Sequence, residues 1–134
     1  MIMKILSTIL LTLLIVLGAC TSPQVSPDPF VRVSNGRLTV NGKPYYYIGT
    51  NFWYGAILGS QGQGGNRERL LRELDYLKAL GINNLRVLVG ADGKDGIPTK
   101  AEPALQVEAG VYNDTIFDGL DFFLSELDKR DMYA

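Results

Sequence analysis

The chain has 134 residues, with 13 Lys and Arg against 14 Asp and Glu, no His and one Cys. This is the size of one ordinary domain, which excludes several large ones. A net charge of -1 with no basic run leaves no electrostatic footprint for nucleic acid. One Cys and no His exclude an internal disulfide, a Cys/His zinc cluster and a Cys–His nucleophile pair.

Met1 to Lys4 forms a short positive start, and Ile5 to Leu17 is an apolar run broken only by Ser7, Thr8 and Thr12. The run is shorter than the roughly 20 apolar residues that span a bilayer. It reads as a secretory signal over residues 1–19, ending in small residues. Leu17-Gly18-Ala19-Cys20 resembles a bacterial lipobox, which would make Cys20 the lipidated first residue of the mature chain. Two or more acyl chains would hold it stably on a membrane, where one would be marginal. An exported protein of the bacterial cell envelope, lipid-anchored or extracellular, is the expectation. Residues 20–29 carry three prolines, and each biases its predecessor away from helix. They read as an extended Pro/Ser-rich tether.

The folded part is expected over 30–134. Phe30 to Val33 and Arg37 to Val40 alternate apolar and polar residues around Asn35-Gly36, and Asn41-Gly42 follows. Asn-Gly between alternating runs is a strong hairpin signal. The pattern predicts three antiparallel strands, the third from Tyr45 to Thr50 with Pro44 at its start. Asn66 caps a helix predicted from about Arg67 to Leu80, with Leu70, Leu74 and Leu77 on one face and Gly81 closing it. Glu68–Arg72 and Arg69–Glu73 fall at i,i+4 spacing on its wet side. Asn84 to Val89 reads as a buried parallel strand. A long loop from Gly90 to Asn113 follows. A second helix is predicted from about Ile116 to Arg130, capped by Asp114 or Thr115, with Ile116, Leu120, Phe123, Leu124 and Leu127 inward. Met132-Tyr133-Ala134 begins a further strand. Alternating strands and helices mean a parallel sheet that needs cover on both faces. Two βα units do not supply it, and an eight-fold βα barrel needs about 250 residues. The fold class expected is α/β, the N-terminal portion of a (β/α)8 barrel preceded by a hairpin and truncated after about two βα units.

Phosphate and metal patterns fail. The Gly59 to Gly65 run lacks the Walker Lys, since Gly65 stands in its place, and Arg67 stands where a dinucleotide fingerprint needs Gly. It reads as a loop. Asp92 to Gly96 has the wrong acidic spacing for a calcium loop and reads as turns. No metal and no cofactor are expected. Two features at strand ends carry more weight. Gly49-Thr50-Asn51-Phe52-Trp53-Tyr54-Gly55 places three aromatics where barrel enzymes work, and aromatic faces stack on sugar rings. Arg86 sits inside an apolar strand, opposite in face to Leu85 and Val87. Buried in a barrel, its guanidinium would need an acidic partner; at an exposed edge it would be ordinary.

The opening hairpin, Gly49 to Gly55, Leu77-Lys78-Ala79-Leu80-Gly81-Ile82-Asn83-Asn84-Leu85-Arg86-Val87, and Gly119-Leu120-Asp121-Phe122 with Asp128-Lys129-Arg130 together resemble glycoside hydrolase family 5. The resemblance is strongest to its endo-β-1,4-mannanase branch and covers about residues 30–134. It implies a (β/α)8 barrel that hydrolyses β-1,4-linked mannan or a related polysaccharide with retention. A Glu acid/base preceded by Asn would follow the fourth strand and a Glu nucleophile the seventh. Arg86 matches the supporting Arg of the second strand, since an Arg beside a carboxyl favours its ionised, nucleophilic form. Trp53, Asn51 and Tyr54 match the sugar-contacting segment after the first strand. None of Glu68, Glu73, Glu102, Glu108 or Glu126 matches a catalytic position, so no catalytic Glu is expected in this chain, and it is expected to be inactive by itself. The competing readings are a cellulase-type family 5 glucanase and a non-catalytic surface lipoprotein that binds glycan.

Overall fold

A computed structural model describes residues 28–98 and 100–134. The signal, Cys20 and most of the tether lie outside the described residues. The chain divides into two units, one ending at Tyr45 and one spanning Tyr46–Ala134.

The first unit is an antiparallel meander of β1 (Arg32–Ser34), β2 (Arg37–Val40) and β3 (Lys43–Pro44). Both Asn-Gly pairs adopt the left-handed backbone that a two-residue turn demands, with φ of 50° and 72° at Asn35 and Gly36 and 50° and 73° at Asn41 and Gly42. Ser34 pairs with Arg37 and Val40 with Lys43 across these turns. The expected third strand is corrected here. It stops at Pro44, which has no N–H to donate, and Tyr45 makes the last bond, from its N–H to the Leu38 carbonyl at 2.9 Å.

The second unit begins by turning the chain into a different sheet. The Asn83 side chain accepts from the Ile48 N–H at 2.9 Å and donates to the Tyr46 carbonyl at 3.0 Å. One amide thus holds the approach to β4 (Gly49–Asn51), which pairs in parallel with β5 (Asn84–Arg86). The expected run to Val89 leaves the ladder after Arg86. Beyond β5 the next strand has started, because Leu85 donates to the Tyr133 carbonyl at 2.7 Å and Tyr133 to the Asn83 carbonyl at 3.0 Å.

Among the described residues three helices cover one side. Helix α1 (Gly55–Gly59) is short and was not legible from the sequence. Helix α2 (Arg67–Ala79) forms as expected: the Asn66 side chain accepts from the Arg69 N–H, and Gly81 ends it at φ of 82°. Helix α3 (Asp114–Asp128) is capped by Asn113, whose side chain accepts from the Thr115 N–H, rather than by Asp114 or Thr115. Of its predicted inward residues, Ile116, Phe123 and Leu127 are buried, but Leu124 is 42% exposed. The Gly90 to Asn113 loop contains a small hairpin, β6 (Gln106–Glu108) with β7 (Val111–Tyr112).

Phe52, Leu58, Leu70, Leu74, Leu85, Phe123, Leu127 and Met132 form one core between sheet and helices. Helices α1 and α3 cross where glycines face each other. A Cβ on Gly59 would lie 2.4 Å from the Gly119 carbonyl oxygen, and one on Gly119 would lie 2.2 Å from that of Ala56. No other residue lets the two backbones approach so closely. Arg130 ties α2 to α3, with Nε 2.7 Å from Asp75 and Nη1 2.7 Å from the buried Glu126 carboxylate. Among the described residues no helix is long and apolar enough to cross a membrane.

Candidate active site at the strand ends

The pairing of β4 with β5 sets the site. Asn51 lies opposite Arg86 in register, and the Phe52 N–H extends the ladder one step by donating to the Arg86 carbonyl at 2.9 Å. Phe52 then turns into the core, so Trp53 is the first side chain beyond the sheet, and it is 53% exposed. Leu85 is buried among the helices, so strand alternation puts Asn84 and Arg86 on the opposite face, with Gly49 and Asn51. A cavity of about 570 Å³ runs along that face, lined by Tyr47, Gly49, Thr50, Asn51, Asn84 and Arg86. A smaller one of about 170 Å³ lies at the strand ends between Asn51, Trp53, Arg86, Val87 and Leu88.

The structure therefore brings together Asn51, Trp53 and Arg86. Of the two alternatives for Arg86, the described residues show the exposed one: it is exposed, and among them it pairs with no carboxylate. Its hydrogen bond goes from Nη1 to the Asn51 Oδ1, at a long 3.5 Å. The reason is geometric, since only β4 and the start of one further strand flank β5 among the described residues. Arg86 therefore has solvent where a closed barrel would put other strands.

Tyr54 touches Trp53 on its other side, away from Arg86. Its hydroxyl donates to the Glu73 Oε2 at 2.7 Å, and with Asn51, Phe52, Glu73, Tyr76 and Leu77 it lines another cavity of about 230 Å³. Arg69 completes the cluster: its Nε is 2.6 Å from Glu73 Oε1, and its guanidinium lies 5.7 Å from the centre of the Tyr54 ring. Burial pushes the Glu73 carboxyl up, but the hydrogen bonds from Tyr54 and Arg69 and the charges of Arg69 and Arg72 outweigh it and hold it below its ordinary value. Burial and the bond to Glu73 raise the Tyr54 hydroxyl. In the sequence, Arg69 and Glu73 read only as a solvent-exposed helical pair. The partner 19 residues away that gives them a second role leaves no local signal.

Chemically, a half-exposed indole beside a carboxamide and a guanidinium is equipped to stack on the apolar face of a sugar and bond its hydroxyls. None of the five residues lining the strand-end cavity is a carboxylate, so these groups orient and polarise rather than transfer a proton.

Comparison with known proteins shows what the chain is similar to. The chain is 35% identical to mannan endo-1,4-beta-mannosidase 1 of Oryza sativa subsp. japonica over 101 residues, covering 75% of this chain and 21% of that protein. It is 32% identical to mannan endo-1,4-beta-mannosidase 5 of Solanum lycopersicum over 101 residues, covering 75% and 22%. The crystal structure of the family 5 mannosidase from Rhizomucor miehei superimposes with a TM-score of 0.74 at 36% identity, over 78% of this chain and 26% of that one. A variant of that enzyme is known in complex with mannosyl-fructose. The chain thus spans about a quarter of the length of the relatives it matches. A family model described as glycoside hydrolase family 5, beta-mannosidase-like, matches residues 28–134, and the chain belongs to that family.

Proposed function

We propose that these residues serve a retaining endo-β-1,4-mannanase. In its complete (β/α)8 barrel the open face of β4 and β5 turns inward, and Trp53, Asn51 and Arg86 line one end of the substrate cleft. The observation that carries this reading is the exposed Trp53 placed just past the end of β4, sharing a cavity with the register pair Asn51 and Arg86. Trp53 stacks on a mannosyl unit and Asn51 bonds its hydroxyls. Arg86 stabilises the ionised nucleophilic carboxylate contributed from outside this chain. Retention needs two carboxyls about 5 Å apart across one glycosidic bond. Both are supplied by later strands, so the 134-residue chain alone does not hydrolyse.

The same proposal includes export, with lipid attachment at Cys20 and residues 20–29 spacing the catalytic body from the membrane. The test is to assay the complete polypeptide on mannan and on cellulose, with and without Trp53→Ala. Hydrolysis of mannan, with the variant losing about 1–2 kcal/mol of mannooligosaccharide binding, is expected. Preference for cellulose, or a variant with unchanged kinetics and a lowered melting temperature, would overturn the substrate assignment or the role of Trp53 respectively.

A further inference from the structure

We infer that Tyr54, held by Glu73 and Arg69, is a positioning residue that sets the orientation of the Trp53 indole. This rests on the reading of Trp53 as a sugar contact and gives Tyr54, which the resemblance puts in the same sugar-contacting segment, a supporting role behind it. The Trp53 ring meets the Tyr54 ring edge-on, with centroids 5.4 Å apart and planes at 82°. That contact fixes an exposed indole only if Tyr54 is itself fixed, and Phe52 on one side and the linked Glu73 and Arg69 on the other do so. Phe52 lies 4.5 Å from its ring on the core side. The Glu73 carboxylate accepts from its hydroxyl at 2.7 Å. Arg69, bound to the other oxygen of the same carboxylate, reaches over the ring.

The cluster also joins two rigid elements. Tyr54 caps α1, accepting at its carbonyl from the Leu58 N–H at 2.9 Å, while Glu73 and Arg69 stand one turn apart on α2. The aromatic platform beyond β4 is therefore referenced to the helix that covers the sheet, not to a loop. A preorganised side chain loses less freedom when its ligand arrives, which converts directly into affinity. Tyr54 works behind the contact surface, so mutating it should change binding without removing any atom that touches sugar.

The chain contains a single Trp, so tryptophan emission of the full 134-residue chain reports on Trp53 alone. Acrylamide quenching and emission anisotropy, measured without sugar, test the positioning directly. Wild type should be protected relative to the chain in urea. Tyr54→Phe and Glu73→Ala should move quenching towards the urea value with helix content unchanged by circular dichroism. Glu73→Gln, which keeps an acceptor for the hydroxyl, should restore most of the protection. Titration of the complete polypeptide with mannohexaose should then show affinity reduced about three- to ten-fold in the first two variants, the loss expected for one hydrogen bond and a loosened ring pair. A wild-type indole as accessible as in urea, or Tyr54→Phe and Glu73→Ala indistinguishable from wild type, would overturn the positioning role. Protection that follows the expected order with no response to mannohexaose in any variant would leave the positioning intact and sink the sugar site on which it builds.

Discussion

Replacing Gly119 by Ala tests whether the crossing of α1 and α3 governs both stability and the site. By local propensity the change is favourable, since Ala in a helix interior gains about 1 kcal/mol over Gly. The packing opposes it. The new methyl would lie 2.2 Å from the Ala56 carbonyl oxygen, 2.6 Å from the Ser60 nitrogen and 2.8 Å from the Ser60 Cα. These are backbone atoms and cannot rotate away, so the helices must separate by on the order of 1 Å to reach ordinary contact. Separation also loosens Phe123, whose ring packs so closely on Gly55 that a Cβ there would lie 2.8 Å from it. Overpacking of this kind costs about 3 kcal/mol at its upper range, leaving a net loss of about 2 kcal/mol. Tyr54 and Trp53 immediately precede α1, so the same displacement should weaken mannooligosaccharide binding. Urea unfolding and binding, both measured on the complete polypeptide, check this. Gly81→Ala serves as the control, because its site is open space at φ of 82° and only backbone strain of about 1 kcal/mol should appear. A Gly119→Ala protein as stable as wild type, or more stable, would refute the argument.

Three further outcomes are expected. Cys20→Ala should abolish lipidation and shift the protein from the detergent phase to the aqueous phase, as read by phase partitioning and mass spectrometry of the mature N-terminus. Acid should destabilise the fold through Glu126 and Glu73. Hydrogen bonds from Lys129 and then Arg130 hold Glu126 below its ordinary value of 4.5 when folded. The unfolded chain therefore takes up protons first. The stability is complete above that value and is lost as pH falls through the lower folded one. Melting temperature followed from neutral to acid pH should show this fall, and Glu126→Gln should flatten it. Finally, the 134-residue chain should release no reducing sugar from mannan; turnover that survives purification and disappears with an Arg86 variant would show that the carboxyls present are sufficient.

Parts of the fold are legible because their causes are local. Asn66, the leucine spacing and Gly81 define α2 within 16 residues, and both Asn-Gly turns carry their own backbone preference. The parallel pairing of β5 and the strand beginning at Tyr133 follow from its apolar run and from alternation. What is not legible depends on distant partners. Helix α1 is five residues bounded by glycines, a poor helix by propensity, and it exists because Gly119 lets it pack against α3. The segment from Tyr46 to Ile48 reads as strand by its aromatic and β-branched content, but Asn83, some 35 residues on, takes its backbone bonds. At the site, Trp53 and Arg86 are found from their position at strand ends, and Asn51 from the family resemblance. The bond between Tyr54 and Glu73 is invisible until the sheet and α2 are docked.

The start of α2 has a practical consequence. Arg67 donates from Nε to the Gly59 carbonyl at 2.7 Å, pairs with Asp118, and lies 4.0 Å over the Phe122 ring. Asn66 donates from its N–H to the Leu58 carbonyl at 2.8 Å. Between them these contacts fasten the two ends of the turn at residues 60–65, whatever its tip contains. Gln61 and Gln63 project into solvent there, whereas a Cβ on Gly65 would fall 2.1 Å from the Ser60 carbonyl oxygen. Extra residues inserted beside Gln61 would meet a loop already closed at its base, and each doubling of its length costs only about 0.6 kcal/mol. The tip is therefore a natural point for grafting a reporter peptide or a second binding module, held near Thr115 at the start of α3 without disturbing the helix that follows it.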